Sequence, residues 1–250
     1  MCIIFTFALF VFPIYSDSTI PPAYAGCSTL PLYGKTGGPS IDDISALITE
    51  NGWFEADLAA VVLTNTSAIK QSLKDPEDGT VQVTLPNRVG QPQTMTFPKK
   101  PFPSDAPYCG VTSNISSSAW VSAMYDGLTT LFKKDNISID GQFASRASRG
   151  LNAIQGTSGS ASRQSCLITP IPGTRSLYAL ASLAPVVAAM YSNTTDPRYA
   201  NRIVAVTASD SLNSSANKVS FASISVFGRP GISDLPWSDW SANCESMFWT

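Results

Sequence analysis

The 250-residue sequence predicts an α+β fold: helical middle segments packed on antiparallel strands, two β-hairpins at about 80–97 and 202–227, and disulfide stabilisation. Three observations predict it. Apolar residues recur at helical spacing from Trp53 to Leu63, from Trp120 to Phe132 and from Phe143 to Ile154. Thr80 to Leu85 and Gln93 to Phe97 alternate apolar with polar residues, the period of a half-buried strand. Cys27, Cys109, Cys166 and Cys244 are spread widely along the chain with no Cys-x-x-Cys pair, the pattern of a disulfide framework rather than a thiolate metal knuckle.

The elements follow in order. Cys2 to Tyr15 is an apolar run interrupted by Thr6 and Pro13, shorter than the roughly 20 residues of a membrane-crossing helix. With Ala23-Tyr24-Ala25 as a small-x-small cleavage pattern, it reads as a signal peptide over 1–25 and a mature chain from Gly26. No Lys or Arg precedes the run, so a signal anchor, a truncated membrane segment and a buried core element stand as alternatives. Residues 26–250 then form one extracytoplasmic domain, and the proline-rich connector 98–108 is its best internal boundary.

Ser40 opens an acidic first turn at Asp42 and Asp43, and Ile41, Ile44, Leu47 and Ile48 continue at helical spacing. Trp53 to Leu63 is dense enough in apolar residues for a buried helix, or for a strand over its last four residues, and Thr66 to Lys74 adds another turn or two. The loop of the first hairpin holds Pro86, Asn87, Gly90 and Pro92. Ser116 to Ser118 are placed to cap a helix that ends in Lys133 and Lys134, with Gly127 weakening its middle. Gln155 to Gln164 reads as a small-residue loop. Leu177 to Tyr191 is apolar but holds Pro185, and is expected to be a core helix that kinks or stops there. Arg202 to Ala208 and Lys218 to Phe227 form the second hairpin, with a bulge near Ser223.

Composition restricts the chemistry. The chain has no histidine, so Ser–His–Asp and Cys–His catalysis and histidine-ligated metal sites are excluded within it. A net charge of −2, with basic residues never clustered beyond pairs, supplies no field for nucleic acid. No cofactor or metal is expected, and a membrane contact only through the N-terminal apolar run if it is uncleaved. Charged residues make up only 14 %, so Ser, Thr, Asn, Gly and Pro must wet the surface, as in many exported proteins. Asn65, Asn114, Asn136, Asn193 and Asn213 head Asn-x-Ser/Thr sequons and are glycosylation candidates.

Ser67-Ala68-Ile69-Lys70 has the S-x-x-K form, in which a helical turn brings the amine to the hydroxyl. Lys35-Thr36-Gly37 precedes it, the reverse of the chain order in penicillin-binding proteins and serine β-lactamases, and Ser215 to Lys218 repeats the form. The remaining acid–base candidates are Asp42, Asp43, Glu50, Glu55 and Asp57, which lie close together in sequence and could supply a glycosidase-like carboxylate pair. Asp75 to Gly79 reads as a turn, without the alternating ligands of an EF-hand.

Trp237-Ser238-Asp239-Trp240-Ser241 resembles the W-S-x-W-S box of class I cytokine receptors and, less closely, the tryptophan ladder of thrombospondin type 1 repeats. The resemblance spans five residues and implies tryptophan faces interleaved with strand arginines. The helical middle departs from the paired β-sandwiches of the receptor family. Read from the residues, Trp237, Trp240, Phe248 and Trp249 form an aromatic clasp tied back by Cys244, or else Trp237, Trp240 and Trp249 grip a protein or carbohydrate surface. The expected function is that of an exported non-catalytic binding or structural protein of the envelope, wall or extracellular space. A secreted carboxylate-dependent hydrolase and the ectodomain of a longer membrane protein are the alternatives.

Overall fold

The structure is a computed structural model that describes residues 27–34, 36–44, 52–102, 118–137, 143–166, 180–190, 194, 200–207, 218–222 and 232–250. It is an α+β fold with two antiparallel sheets. Helix α1 (Gly52–Thr64) and the short α2 (Thr66–Ser72) lead into the small sheet of β1 (Leu73–Lys74), β2 (Thr80–Pro86) and β3 (Pro92–Pro98). Helices α3 (Trp120–Lys134) and α4 (Phe143–Ile154) follow. The second sheet comprises β4 (Ser162–Ser165), β5 (Val186–Met190), β6 (Ile203–Val206), β7 (Lys218–Ala222), β8 (Ile232–Pro236) and β9 (Cys244–Trp249), with α5 (Trp237–Asn243) between the last two. Its strand order is β4-β9-β5-β6-β7-β8, so the C-terminal strand lies inside the sheet.

The first hairpin pairs Thr80 with Pro98 through to Pro86 with Pro92, and its inward residues Val81, Val83 and Leu85 are fully buried. Helix α3 lies across it. A Cβ on Gly127 would sit 2.8 Å from Val83 Cγ1, so the glycine that weakens the helix in isolation is what lets it approach β2 closely. No serine side chain caps α3: its N-cap is Ala119, whose N–H, like that of Trp120, is bound by a carbonyl of the 31–32 segment. At the other end the helix closes in a Schellman motif. Ile137 N–H donates to Phe132 O and Asn136 N–H to Lys133 O, with Asn136 at φ 54° in the left-handed region.

The large sheet is covered on both faces. Val187, Ala189, Ile203, Ala205, Ala222 and Phe248 join the main core with α1, α4 and the first hairpin. The alternate residues Val186, Ala188, Met190, Val204, Val206, Val219, Phe221 and Met247 form a second core with Trp240 and Cys244. The period of two predicts this division along β5 and β6, and one irregularity perturbs it in β9. The register shifts there, with Ala189 opposite Ser246 but Met190 opposite Cys244, which puts Cys244 and Met247 on the same face. The main core is continuous from Val83 in the small sheet to Phe248 in the large one.

Several expectations change. Val186 to Met190 is a strand, not part of a helix: helical residues 180–183 stop before Pro185, and the β-branched pair Val186-Val187 begins β5. A strand buried on both faces is a continuous apolar run, which periodicity does not separate from a buried helix. Ser162 to Ser165, which begins within the expected loop of 155–164, forms an edge strand because the C-terminal segment offers it a partner. The turn capped by Ser40 is a single 3-10 turn, Ile41–Asp43, in its described part. The leader, Leu47 and Ile48, the connector beyond Phe102, Ser116 and Ser117, and the bulge near Ser223 lie outside the described residues. Among those described, no helix is long and apolar enough to cross a membrane.

Asn136→Gly keeps the motif and removes the cost of holding a side chain at positive φ. It is expected to stabilise the fold by about 0.5 kcal/mol, read as a rise in the urea midpoint without a change in slope.

Candidate functional site

Helix α1 has no solvated side over most of its length: every residue from Gly52 to Val61 is buried, including Glu55 and Asp57. Such a helix is expected to be apolar all round. Trp53, Phe54, Leu58 and Val61 fit that demand. Trp53 stacks on Phe132 of α3 with centroids 5.2 Å apart, and Phe54 meets Tyr125 at 5.2 Å and Phe102 at 5.6 Å. Each large side chain so enclosed contributes roughly 1.5–3 kcal/mol. The two acids do not fit.

Both carboxyl oxygens of Glu55 and both of Asp57 are buried without a hydrogen-bond partner. Glu55 lies near Arg202, the residue that leads into β6, whose Nε is likewise buried and unpartnered. Burial pushes the Glu55 carboxyl up to about 8, against the pull of the Arg202 charge. Asp57 is fully enclosed, with no charge offsetting its desolvation, and is held well above the ordinary carboxylate range. It presses on α4 where Gly150 leaves room, since a Cβ there would collide with Asp57 Oδ2 and come within 3.1 Å of Trp53. Residues two apart on a helix point to different faces, so these are two separately buried acids rather than a converging pair.

The other acidic candidates are dispersed. Asp43 accepts a hydrogen bond from Trp120 Nε1 at 2.8 Å, and burial raises its carboxyl while that bond lowers it. Asp42 is exposed and Glu50 lies outside the described residues. Asp75 to Gly79 forms the expected turn: Asp75 accepts from Glu77 N–H and Lys99 Nζ, and Asp78 from Thr80 N–H. Among the described residues no three His, Cys, Asp or Glu are grouped to hold a metal ion. Ser67 and Lys70 are both exposed on α2, and no hydrogen bond joins them. Lys218 begins β7 and is exposed, while Lys35 and Ser215 are outside the described residues.

The C-terminal aromatics take a different arrangement from a tryptophan–arginine ladder. Trp237 to Ser241 lies in α5, not on a strand, and Arg202 faces Glu55. Trp240 is a core residue, 1 % exposed, with its ring 5.9 Å from that of Phe221. Trp237 and Trp249 are half-buried against the same cluster. The cation–π contact of this region joins Arg163 of β4 to Phe248, 5.6 Å from its centroid. Cys166 and Cys244 form a disulfide that ties the end of β4 to the start of β9, and Cys27 is disulfide-bonded as well. Of the sequons, Asn65 and Asn136 are exposed, Asn65 Nδ2 donating to Gln155 Oε1 at 3.0 Å. Asn114, Asn193, Asn213 and Cys109 lie outside the described residues.

Sequence reasoning assigned no role to the buried Arg149 or to the half-buried Arg202. Arg149, 1 % exposed on α4, donates to the Pro86 carbonyl and to Asp135 Oδ2 at 3.2 Å, joining α4 to the end of β2 and to the cap of α3. Arg202 is 147 positions from the acid it faces, a separation at which spacing carries no signal. No protein-family model matches the chain, and no curated protein sequence matches it.

Two substitutions test this packing. Gly150→Ala would add about 1 kcal/mol of helix propensity on an exposed surface, but is expected to lower the melting temperature here because its methyl meets Asp57 and Trp53. Trp240→Ala is expected to cost about 3–5 kcal/mol in chemical unfolding, and Trp237→Ala much less.

Proposed function

We propose that this is an exported protein that acts without catalysis, as a binding or structural component of a cell envelope, wall or extracellular space. The observation that carries the reading is the oxidised cysteine framework: Cys166–Cys244 is closed, and Cys27 is disulfide-bonded too. Structural disulfides persist in oxidising compartments and are rare in the cytosol. The N-terminal apolar run followed by Ala23-Tyr24-Ala25 supplies a route to such a compartment.

The burial of the acids supports a non-catalytic role. A glycosidase needs two carboxyls converging on a substrate, one as acid and the other as nucleophile or base. Glu55 and Asp57 are instead sealed into the packing of one helix, and Asp43 is held by Trp120. A protein or carbohydrate partner would be engaged through the surface; the half-buried Trp237 and Trp249, beside the disulfide, are the aromatic edges nearest to it.

Intact mass spectrometry of the protein from its native source tests the reading. The expected result is a chain beginning at Gly26, about four mass units heavier after reduction, with a cross-linked peptide joining Cys166 to Cys244. Mass lost on deglycosylation, mapped to the exposed Asn65 or Asn136, would place it in a eukaryotic secretory route. An unprocessed chain with free thiols at Cys166 and Cys244 would defeat the proposal. Hydrolysis of a polysaccharide that Glu55→Gln abolishes would replace it with the hydrolase reading.

A further inference from the structure

We infer that helix α1 is a pH-sensitive latch: proton loss from Glu55 and Asp57 places bare charge on two of its buried faces and unseats it from β6 and α4, so the packed fold belongs to an acidic to neutral medium. The geometry carries this. All four carboxyl oxygens are buried and none has a hydrogen-bond partner, on a helix whose first ten residues are all enclosed. A neutral carboxyl tolerates such a place at a modest cost, whereas an ionised one is stable only with a partner in contact.

Few groups could compensate. Among the described residues Arg202, ahead of β6, is the charge that acts on Glu55, and its Nε makes no hydrogen bond. On α4, packed against the Asp57 side, the charged residues are Arg146 and Arg149, and Arg149 is already bound to Asp135 and the Pro86 carbonyl. The other elements against α1 bring Asp42 and Asp43 of the 3-10 turn, Lys70 of α2, Lys218 of β7, and Asp126, Lys133 and Lys134 of α3, while β5 brings none. None of these is among the influences on Asp57, whose carboxyl responds to burial alone.

The sign follows from the two states. In the unfolded chain Glu55 ionises near 4.5, and in the folded protein only near 8. Its contribution to stability is full below about 4.5 and is lost as pH rises through about 8. Asp57 acts in the same direction. Asp43 and Asp126 are raised by burial as well, so variants are needed to isolate α1.

The experiment follows thermal unfolding of the mature, disulfide-intact protein from about pH 5 to about pH 9, beside Glu55→Gln, Asp57→Asn and the double variant, whose amides mimic the protonated acids. The expected result is a wild-type melting temperature that falls across this range, a shallower fall in each single variant, and the highest melting temperature at the alkaline end in the double variant. A level or rising wild-type profile would overturn the inference, as would a double variant that keeps the wild-type slope. Should a variant fail to fold, infrared difference spectroscopy of the wild type decides. A protonated-carboxyl carbonyl band that persists at neutral pH and disappears near pH 8 together with helical signal supports the latch. Absence of that band at neutral pH sinks it.

Discussion

The fold depends on the burial of one helix from all directions. Helix α1 packs against both α4 and the six-stranded sheet, chiefly β6, and its aromatic residues reach α3 and the segment after the first hairpin. Among the described residues no strand pairing joins the two sheets. What makes one core of them is the apolar surface of Trp53, Phe54, Leu58 and Val61, together with the α4 residues Ala147, Leu151 and Ile154. Removal of water from this surface is the main favourable contribution, and it acts on α1 throughout its circumference.

The same enclosure dictates the unusual electrostatics. Water that would solvate Glu55 and Asp57 is excluded by the packing that gives α1 its stability, so burial pushes both carboxyls above their ordinary range at a cost to the rest of the core. Gly150 is part of that arrangement, because only a residue without a side chain lets α4 lie against Asp57. Ion pairs elsewhere fasten neighbouring elements to one another. Lys99–Asp75 and Lys100–Asp126, both at 2.7 Å, bind the end of the first hairpin to the turn before it and to α3.

The large sheet is secured differently. Its C-terminal strand inserts between β4 and β5, and the Cys166–Cys244 bond fastens the two segments that would otherwise be free to separate. Trp240 fills the face that α1 does not reach, against Phe221. The bond matters there because a short edge strand such as β4 has only four residues of pairing to hold it.

Much of this was legible before any coordinates. The helical periods of α3 and α4, the dense apolar run of α1, the first hairpin, the pairing of 203–206 with 218–222 and the disulfide use of Cys27, Cys166 and Cys244 follow from local pattern, because each depends on residues a few positions apart or on a count. Pattern could not assign Val186 to Met190, since a strand buried on both faces and a buried helix share one continuous apolar signature. Nor could it place Ser162 to Ser165 or Cys244 to Trp249 in a sheet, because their pairing joins segments some eighty residues apart. The acidic cluster around Glu55 was visible as composition, but its dispersal into separate buried positions was decided by tertiary packing. Sequence fixes which groups can ionise; only the fold decides which of them water can reach.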